Sequence, residues 1–176
     1  MIPSTIASRH FSDGERGLTI KECALRAIDR EVSASEHRET GGVLLGHYAD
    51  KLDRAVVLEA TGPPPDSRRT RYSFVRGREG LHELLLARWH DEPRTHYLGE
   101  WHSHPTGQPL PSVQDIRALT GVARDPLYRC RTPLLLIVAP ASCGKRALGV
   151  WLADGRGERV ELRPLLERLG AGPPVE

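Results

Sequence analysis

Two histidines one residue apart, His102 and His104, stand in the stretch "YLGEWHSHPTGQPLPSVQD", which ends on an aspartate, Asp115. Imidazole nitrogens and a carboxylate oxygen form a mixed donor set that suits a zinc ion. Residues two apart on a strand face the same side, so both imidazoles can converge at a strand end. Asp115 then arrives from the first turn of the next helix. Three protein ligands leave the fourth tetrahedral position for water, the arrangement of a catalytic zinc rather than a structural one. Bound zinc brings the pKa of such a water from about 16 toward about 7. Each piece also has a plainer reading. H-x-H can be a pair of surface histidines, and "SVQD" is a capping box with Ser112 as N-cap and Asp115 three residues on. One helical turn can satisfy both readings of Ser112 and Asp115 together.

Attack on a carbonyl at such a site calls for a second acid to manage the proton of the water. Glu39, in "HRETGGVLLGHY", lies just ahead of an apolar run, but residue types alone leave Glu36, Glu59 and Glu100 equally open. The paired Gly41 and Gly42 allow another backbone to lie close.

Periodicity supplies the elements that must hold these groups. Residues 17–35 read as a helix, with Ile20, Cys23, Ala24, Ala27 and Ile28 at helical spacing and Thr19 with Glu22 as a capping box. The apolar runs 40–48 and 54–61, separated by "ADKLD", read as a pair of strands. The proline-rich segment 61–74 reads as a loop with a short strand. Residues 78–92 form a second helix with a stripe of Leu81, Leu84, Leu85 and Trp89. A strand over 95–103 runs into the histidine loop, and a third helix starts at Ser112. Strands over 133–140 and 146–154 follow, with a last strand in 158–169. Trp89, Trp101 and Trp151 read as core anchors. Helices interleaved with strands argue for an α/β fold, a sheet with helices packed on it.

A chain of 176 residues, 39% hydrophobic and 27% charged, fits a single soluble domain. A net charge of +2 is too mild to announce a nucleic-acid partner. Cys23, Cys130 and Cys143 are widely spaced and odd in number, which argues for a reducing compartment and against a cysteine nucleophile. No leader is visible and no run approaches the ~18–20 apolar residues of a membrane span, so a cytoplasmic protein is expected. The absence of H-E-x-x-H and of P-C-x-x-C sets aside the common zincins and the zinc deaminases.

"ETGGVLLG", then "HSHP", then "PSVQD" together resemble the JAMM (MPN-type, or JAB) metalloproteases, over residues 17–153. The resemblance implies that His102, His104 and Asp115 bind one Zn²⁺, that Glu39 accepts a proton from the attacking water, and that Ser112 donates to the oxyanion. Ser103, facing the other way, is implied to be structural. The family mostly hydrolyses peptide or isopeptide bonds after the tail of ubiquitin or a ubiquitin-like protein, on a cytidine-deaminase-like fold, so the resemblance implies a mixed sheet flanked by helices. The strings look most like the bacterial branch, whose members accompany activating and conjugating enzymes in antiphage operons. The expected division is an N-terminal extension over 1–16, the metalloprotease domain over 17–163 and a tail over 164–176. Arg68, Arg69 and Arg71 are candidates for a groove wall against which an extended, glycine-ended tail pairs as a strand. A silent binding module and a hydrolase of sulfur-carrier proteins or small peptides are the alternatives.

Overall fold

The computed structural model describes residues 7–49, 54–154, 156 and 158–165. Strands β1 (Arg9–Ser12) and β2 (Gly17–Ile20) precede helix α1 (Glu22–Ala34). Next come β3 (Gly41–Tyr48), β4 (Arg54–Ala60), β5 (Arg68–Arg69), β6 (Phe74–Val75) and α2 (Leu81–His90). Strand β7 (His96–Ser103) leads to α3 (Val113–Arg124), followed by β8 (Leu134–Pro140), β9 (Arg146–Ala153) and β10 (Arg159–Pro164). Eight strands close into a barrel in the order β1-β10-β9-β8-β7-β3-β4-β2, and β5 pairs with β6 in a separate ribbon. The β2–β4 and β7–β8 pairs are parallel and the other barrel pairs antiparallel. The architecture is α/β, as the pattern of elements implied, and its sheet is mixed, as the family resemblance implied.

The runs "GGVLLG" and "LLLIV" are continuous rather than alternating because these strands are buried on both faces. One set of side chains, Leu44, Leu98, Trp101 and Leu136 among them, joins Ala24, Leu25 and Ile28 of α1 in the main core. The opposite faces take the other two helices. Leu81, Leu84 and Leu85 of α2 pack on Val43, Leu45 and Tyr97, and Leu119 of α3 packs on Leu135, Ile137 and Trp151.

Four expectations are corrected. Residues 17–20 are a strand and not the start of a helix, because they pair with β1 on one side and β4 on the other while Leu18 and Ile20 enter the core. The helix begins only at Glu22, after Lys21, and no side chain caps it, so Thr19 and Glu22 make no capping box. Residues 9–12, assigned to an N-terminal extension, are a barrel strand with Phe11 in the core. Trp89 is not a core anchor. It is half exposed, with the Arg94 guanidinium 5.8 Å from its ring centre, whereas Trp101 and Trp151 are buried. Residues 1–6, 50–53, 155, 157 and 166–176, which include most of the "ADKLD" segment expected between two strands and most of the expected tail, lie outside the described residues. None of the described helices is long and apolar enough to cross a membrane.

Gly41 shows how closely the strands bearing the site are fitted. It lies opposite His102 in the β3–β7 ladder, and a Cβ there would meet the Trp101 carbonyl, the Phe74 ring and the His102 Cβ. Gly41→Ala is therefore expected to cost about 1–3 kcal/mol, read as a lower denaturant midpoint with an unchanged slope.

Candidate active site

On β7, Trp101 and Ser103 turn toward the barrel while His102 and His104 project to the face covered by α3. The proline-rich loop 105–111 then returns the chain to Ser112. The Ser112 Oγ accepts the Asp115 N–H at 3.2 Å, and the Asp115 Oδ2 accepts the Ser112 N–H at 2.7 Å. This capping box fixes the first turn of α3, and the same turn presents Asp115 to the histidines. The capping and metal-facing roles coexist.

Three separations define the cluster. The His102 and His104 Nε2 atoms are 3.0 Å apart, His102 Nε2 is 3.4 Å from Asp115 Oδ1, and His104 Nε2 is 3.8 Å from Asp115 Oδ2. A tetrahedral ion with bonds of ~2.0–2.1 Å spaces its ligands about 3.3 Å apart, so the three donors bracket the spacing that zinc requires. The His104 Nδ1 lies 3.1 Å from the Gln108 carbonyl. As a donor to that oxygen it leaves the Nε2 lone pair free for a metal, the usual orienting device for a ligating histidine. Among the described residues this is the one group of three or more such side chains placed to hold an ion. The donor set therefore fits zinc.

Protonation favours the same role. Burial, the largest influence, keeps His104 below the ordinary histidine value, with His102 acting the same way against the Gln108 carbonyl and Asp115. A neutral imidazole is what a metal needs. Burial alone would raise Asp115, but hydrogen bonds and charge from His102 and the bonds from Ser112 outweigh it and bring the carboxyl down to about 2.

Four glutamates were open as the proton acceptor, and the structure separates them. Glu59 is held by Arg88 at 2.6 and 3.1 Å, and Glu100 by Arg76 at 2.8 Å and the Tyr97 hydroxyl at 3.1 Å. Glu36 is exposed to solvent beside Arg38. Glu39 alone of the four lines the cleft of about 260 Å³ that also contains His104, Ser112 and Asp115. Burial pushes its carboxyl up to about 7, partly offset by His102 and reinforced by Asp115. A carboxyl poised near neutrality is suited to general acid–base work.

Sequence reasoning missed how Glu39 is held. Ser103, between the histidines, donates its N–H to the Thr40 carbonyl at 2.8 Å, and its Oγ accepts the Thr40 N–H at 3.1 Å. The buried Thr40 thus clamps the residue after Glu39 to the residue between the two ligands. The adjacency of Thr40 to Glu39 was the only trace in the letters, and the Gln108 carbonyl, a backbone group, left none. Of the three candidate arginines, Arg71 lines the cleft with Tyr72, Ser73 and Phe74. Arg68 is exposed on β5. Arg69 is engaged inside the protein with Glu31 and Thr40. Cys130, buried and with its thiol pushed up to about 11 by that burial, is no source of thiolate.

The cap that Ser112 provides and the oxyanion-donor role that the family resemblance implies for it separate by measurement. Its Oγ accepts from Asp115, which leaves its hydroxyl hydrogen to donate toward the cleft. Ser112→Ala is expected to lower kcat by about 10²–10³-fold, as loss of an oxyanion donor does. Loss of the cap should cost about 1 kcal/mol of stability. Steady-state kinetics and thermal melting read the two separately.

A second, larger groove of about 460 Å³ lies on the other side of His102 and Asp115, between β7 and α3. The ligand cluster therefore sits where two concavities meet.

Comparison with known proteins agrees with this geometry. The profile of the prokaryotic homologs of the JAB domain matches residues 21–148. A protein of Enterobacter hormaechei named CD-NTase/cGAS isopeptidase is 38% identical over 149 residues, covering 85% of this chain and 82% of its own. A Pseudomonas aeruginosa protein of the same name is 31% identical over 158 residues, covering 87% and 93%. A Sinorhizobium fredii protein named as a metalloprotease is 30% identical over 121 residues, covering 68% and 73%. The solution structure of protein DSY2949 from Desulfitobacterium hafniense superposes with a TM-score of 0.57 at 20% identity, over 82% of this chain and 88% of that one, a likeness of fold. With the histidine cluster and strands β3, β4, β7 and β8 inside the matched segment, the chain belongs to the prokaryotic branch of the JAB (JAMM/MPN) family.

Proposed function

We propose that this chain is a zinc-dependent isopeptidase that releases a conjugated protein from the amine, chiefly a lysine side chain, to which it is joined. The observation that carries the reading is the cluster of His102, His104 and Asp115, of which His104 and Asp115 share one cleft with Glu39 and Ser112. His102, His104 and Asp115 would hold the ion, which when bound supplies a Lewis acid and makes water acidic near neutral pH. Glu39, as carboxylate, takes a proton from the attacking water and passes it to the departing amine. The Ser112 hydroxyl donates to the oxygen of the attacked carbonyl as it gains charge, a contact worth about 2.7–4 kcal/mol in comparable sites. No covalent link to the protein forms. The complete set of five residues argues against a silent binding module.

Two relatives bear the name CD-NTase/cGAS isopeptidase, and we take an isopeptide-linked CD-NTase as the substrate here. The tail of a ubiquitin-like protein is the second reading, favoured by the five-residue motif and by the ribbon wall at Arg71–Phe74, beside which an extended tail can lie. The cleft would then read the last residues of the tail. We place the activity in the cytoplasm, where the exposed Cys23 and Cys143 stay reduced, within an antiphage conjugation pathway that includes an activating and a conjugating enzyme.

The test is incubation of the zinc-loaded chain with a CD-NTase isopeptide-linked to a lysine peptide and, in parallel, with a ubiquitin-like fusion, each with and without chelator. Chelator-sensitive release of the CD-NTase supports the first reading, and release of the ubiquitin-like protein alone supports the second. Failure to cleave either conjugate would overturn the proposal.

A further inference from the structure

We infer that Arg69 and Glu31 are positioning residues for Glu39, tying the β5–β6 ribbon to the proton acceptor. The inference rests on the role proposed for Glu39. The Glu39 carboxyl is acted on by burial and by neighbouring charges, with no hydrogen bond to it among the described residues. Its place is therefore set by the backbone on either side. On one side the Glu39 N–H donates to the Thr70 carbonyl at 2.7 Å. On the other stands Thr40, clamped to Ser103.

Arg69 joins these two brackets. It directly precedes Thr70, and its Nη1 donates to Glu31 Oε1 at 3.2 Å and to Thr40 Oγ1 at 3.3 Å. The Thr40 hydroxyl donates to the same Glu31 oxygen at 2.7 Å. Glu31 belongs to α1, Thr40 is wholly buried, and the Arg69 and Glu31 side chains are 29% and 27% exposed. Three elements thus share one hydrogen-bonded set, with Glu39 held between its members. The turn Arg71–Ser73 follows on the same ribbon and faces the cleft, so a substrate seated there bears on Glu39 through Thr70. General acid–base geometry tolerates little displacement. A misplacement of about 1 Å can cost as much as ~10²-fold in rate.

A pair that merely stapled the ribbon to α1 would raise KM and lower the melting temperature while leaving kcat alone. Positioning predicts a different pattern. With the better-cleaved of the two conjugates, Arg69→Ala should lower kcat by about 10–100-fold with KM within about twofold and zinc stoichiometry unchanged. Arg69→Lys, which retains the ion pair, should recover most of the loss. In a Glu39→Gln background Arg69→Ala should add no further loss, because both changes act through one carboxyl. Amide hydrogen exchange gives a readout independent of turnover: the Glu39 N–H should exchange about tenfold faster or more in Arg69→Ala. Should that variant fail to fold, Glu31→Gln, which keeps an acceptor for Thr40 and removes only the charge, takes its place. An unchanged kcat with unchanged Glu39 exchange overturns the inference, as does an effect on KM alone or an additive loss in the Glu39→Gln background. If the wild type cleaves neither conjugate the proposed function fails, while the exchange measurement still decides whether Arg69 holds Glu39 in place.

Discussion

Glu39→Gln is expected to leave zinc bound and to lower kcat by about 10²–10⁴-fold, the range that a positioned acid–base group contributes. Gln keeps the size of the side chain and cannot accept and return a proton. Because Glu39 is outside the ligand cluster, metal content should match the wild type. The pH profile provides a second check. The proton acceptor is the carboxylate, and burial raises the Glu39 carboxyl from an ordinary 4.5 to about 7. Turnover should therefore fall as pH drops through the Glu39 value. A cation held by the neighbouring ligands favours the carboxylate and moves this acid limb below 7. The limb should be missing from whatever residual activity Glu39→Gln retains.

Asp115→Asn is the change with the next largest effect, and it acts on the metal. The wild-type carboxyl, held at about 2, is ionised throughout the working range. Asn can still accept the Ser112 N–H, so the first turn of α3 should survive with a stability change under about 1 kcal/mol. What is lost is the one negative charge among the three donors. Groups that only orient a ligand are worth about 10–100-fold in metal affinity, and a ligand itself should be worth more. Equilibrium dialysis should show zinc affinity down by more than about 100-fold, with cleavage recovered in part at high zinc. His104→Ala should lose metal likewise but lack that recovery, since it also removes the group oriented by Gln108.

The difference between these two variants marks the division of labour in the cleft. In the proposed mechanism one residue handles the proton while three hold the ion, and the Thr40–Ser103 clamp ties the segments that carry them. The clamp follows from the register of β3 against β7, which sets Gly41 opposite His102. Glycine at that point lets the strand carrying the proton acceptor approach the strand carrying the ligands. Packing of the barrel thereby translates directly into the geometry of the site.

That His102, His104 and Asp115 cluster was legible in the sequence because local chemistry dictates it. An H-x-H on a strand places both imidazoles on one face, and S-x-x-D at a helix start has a strong geometric preference that the capping box confirms. Glu39 was not separable from Glu36, Glu59 and Glu100 by residue type. Ion pairs to Arg88 and Arg76, made across the fold, are what remove Glu59 and Glu100 from contention. Residues 17–20 misled for a related reason. Leu18 and Ile20 carry an alternation too short to compete with the longer helical pattern beside it, and only the partners β1 and β4 decide the matter. Trp89 misled because an apolar stripe records a helix face without recording how far the covering surface extends. Closure of the sheet into a barrel depends on β1 reaching β10, a contact between segments about 150 residues apart that no local window contains.

The central claim is that one zinc ion at His102, His104 and Asp115 is needed to cut an isopeptide bond. The most direct measurement is to strip the protein with chelator, return zinc in steps and follow release of the lysine peptide from its conjugate. The rate should rise in proportion to zinc and level off at one equivalent per chain, and with Asp115→Asn no such break should appear at one equivalent. Full cleavage by the stripped protein, before any zinc is returned, would contradict the account.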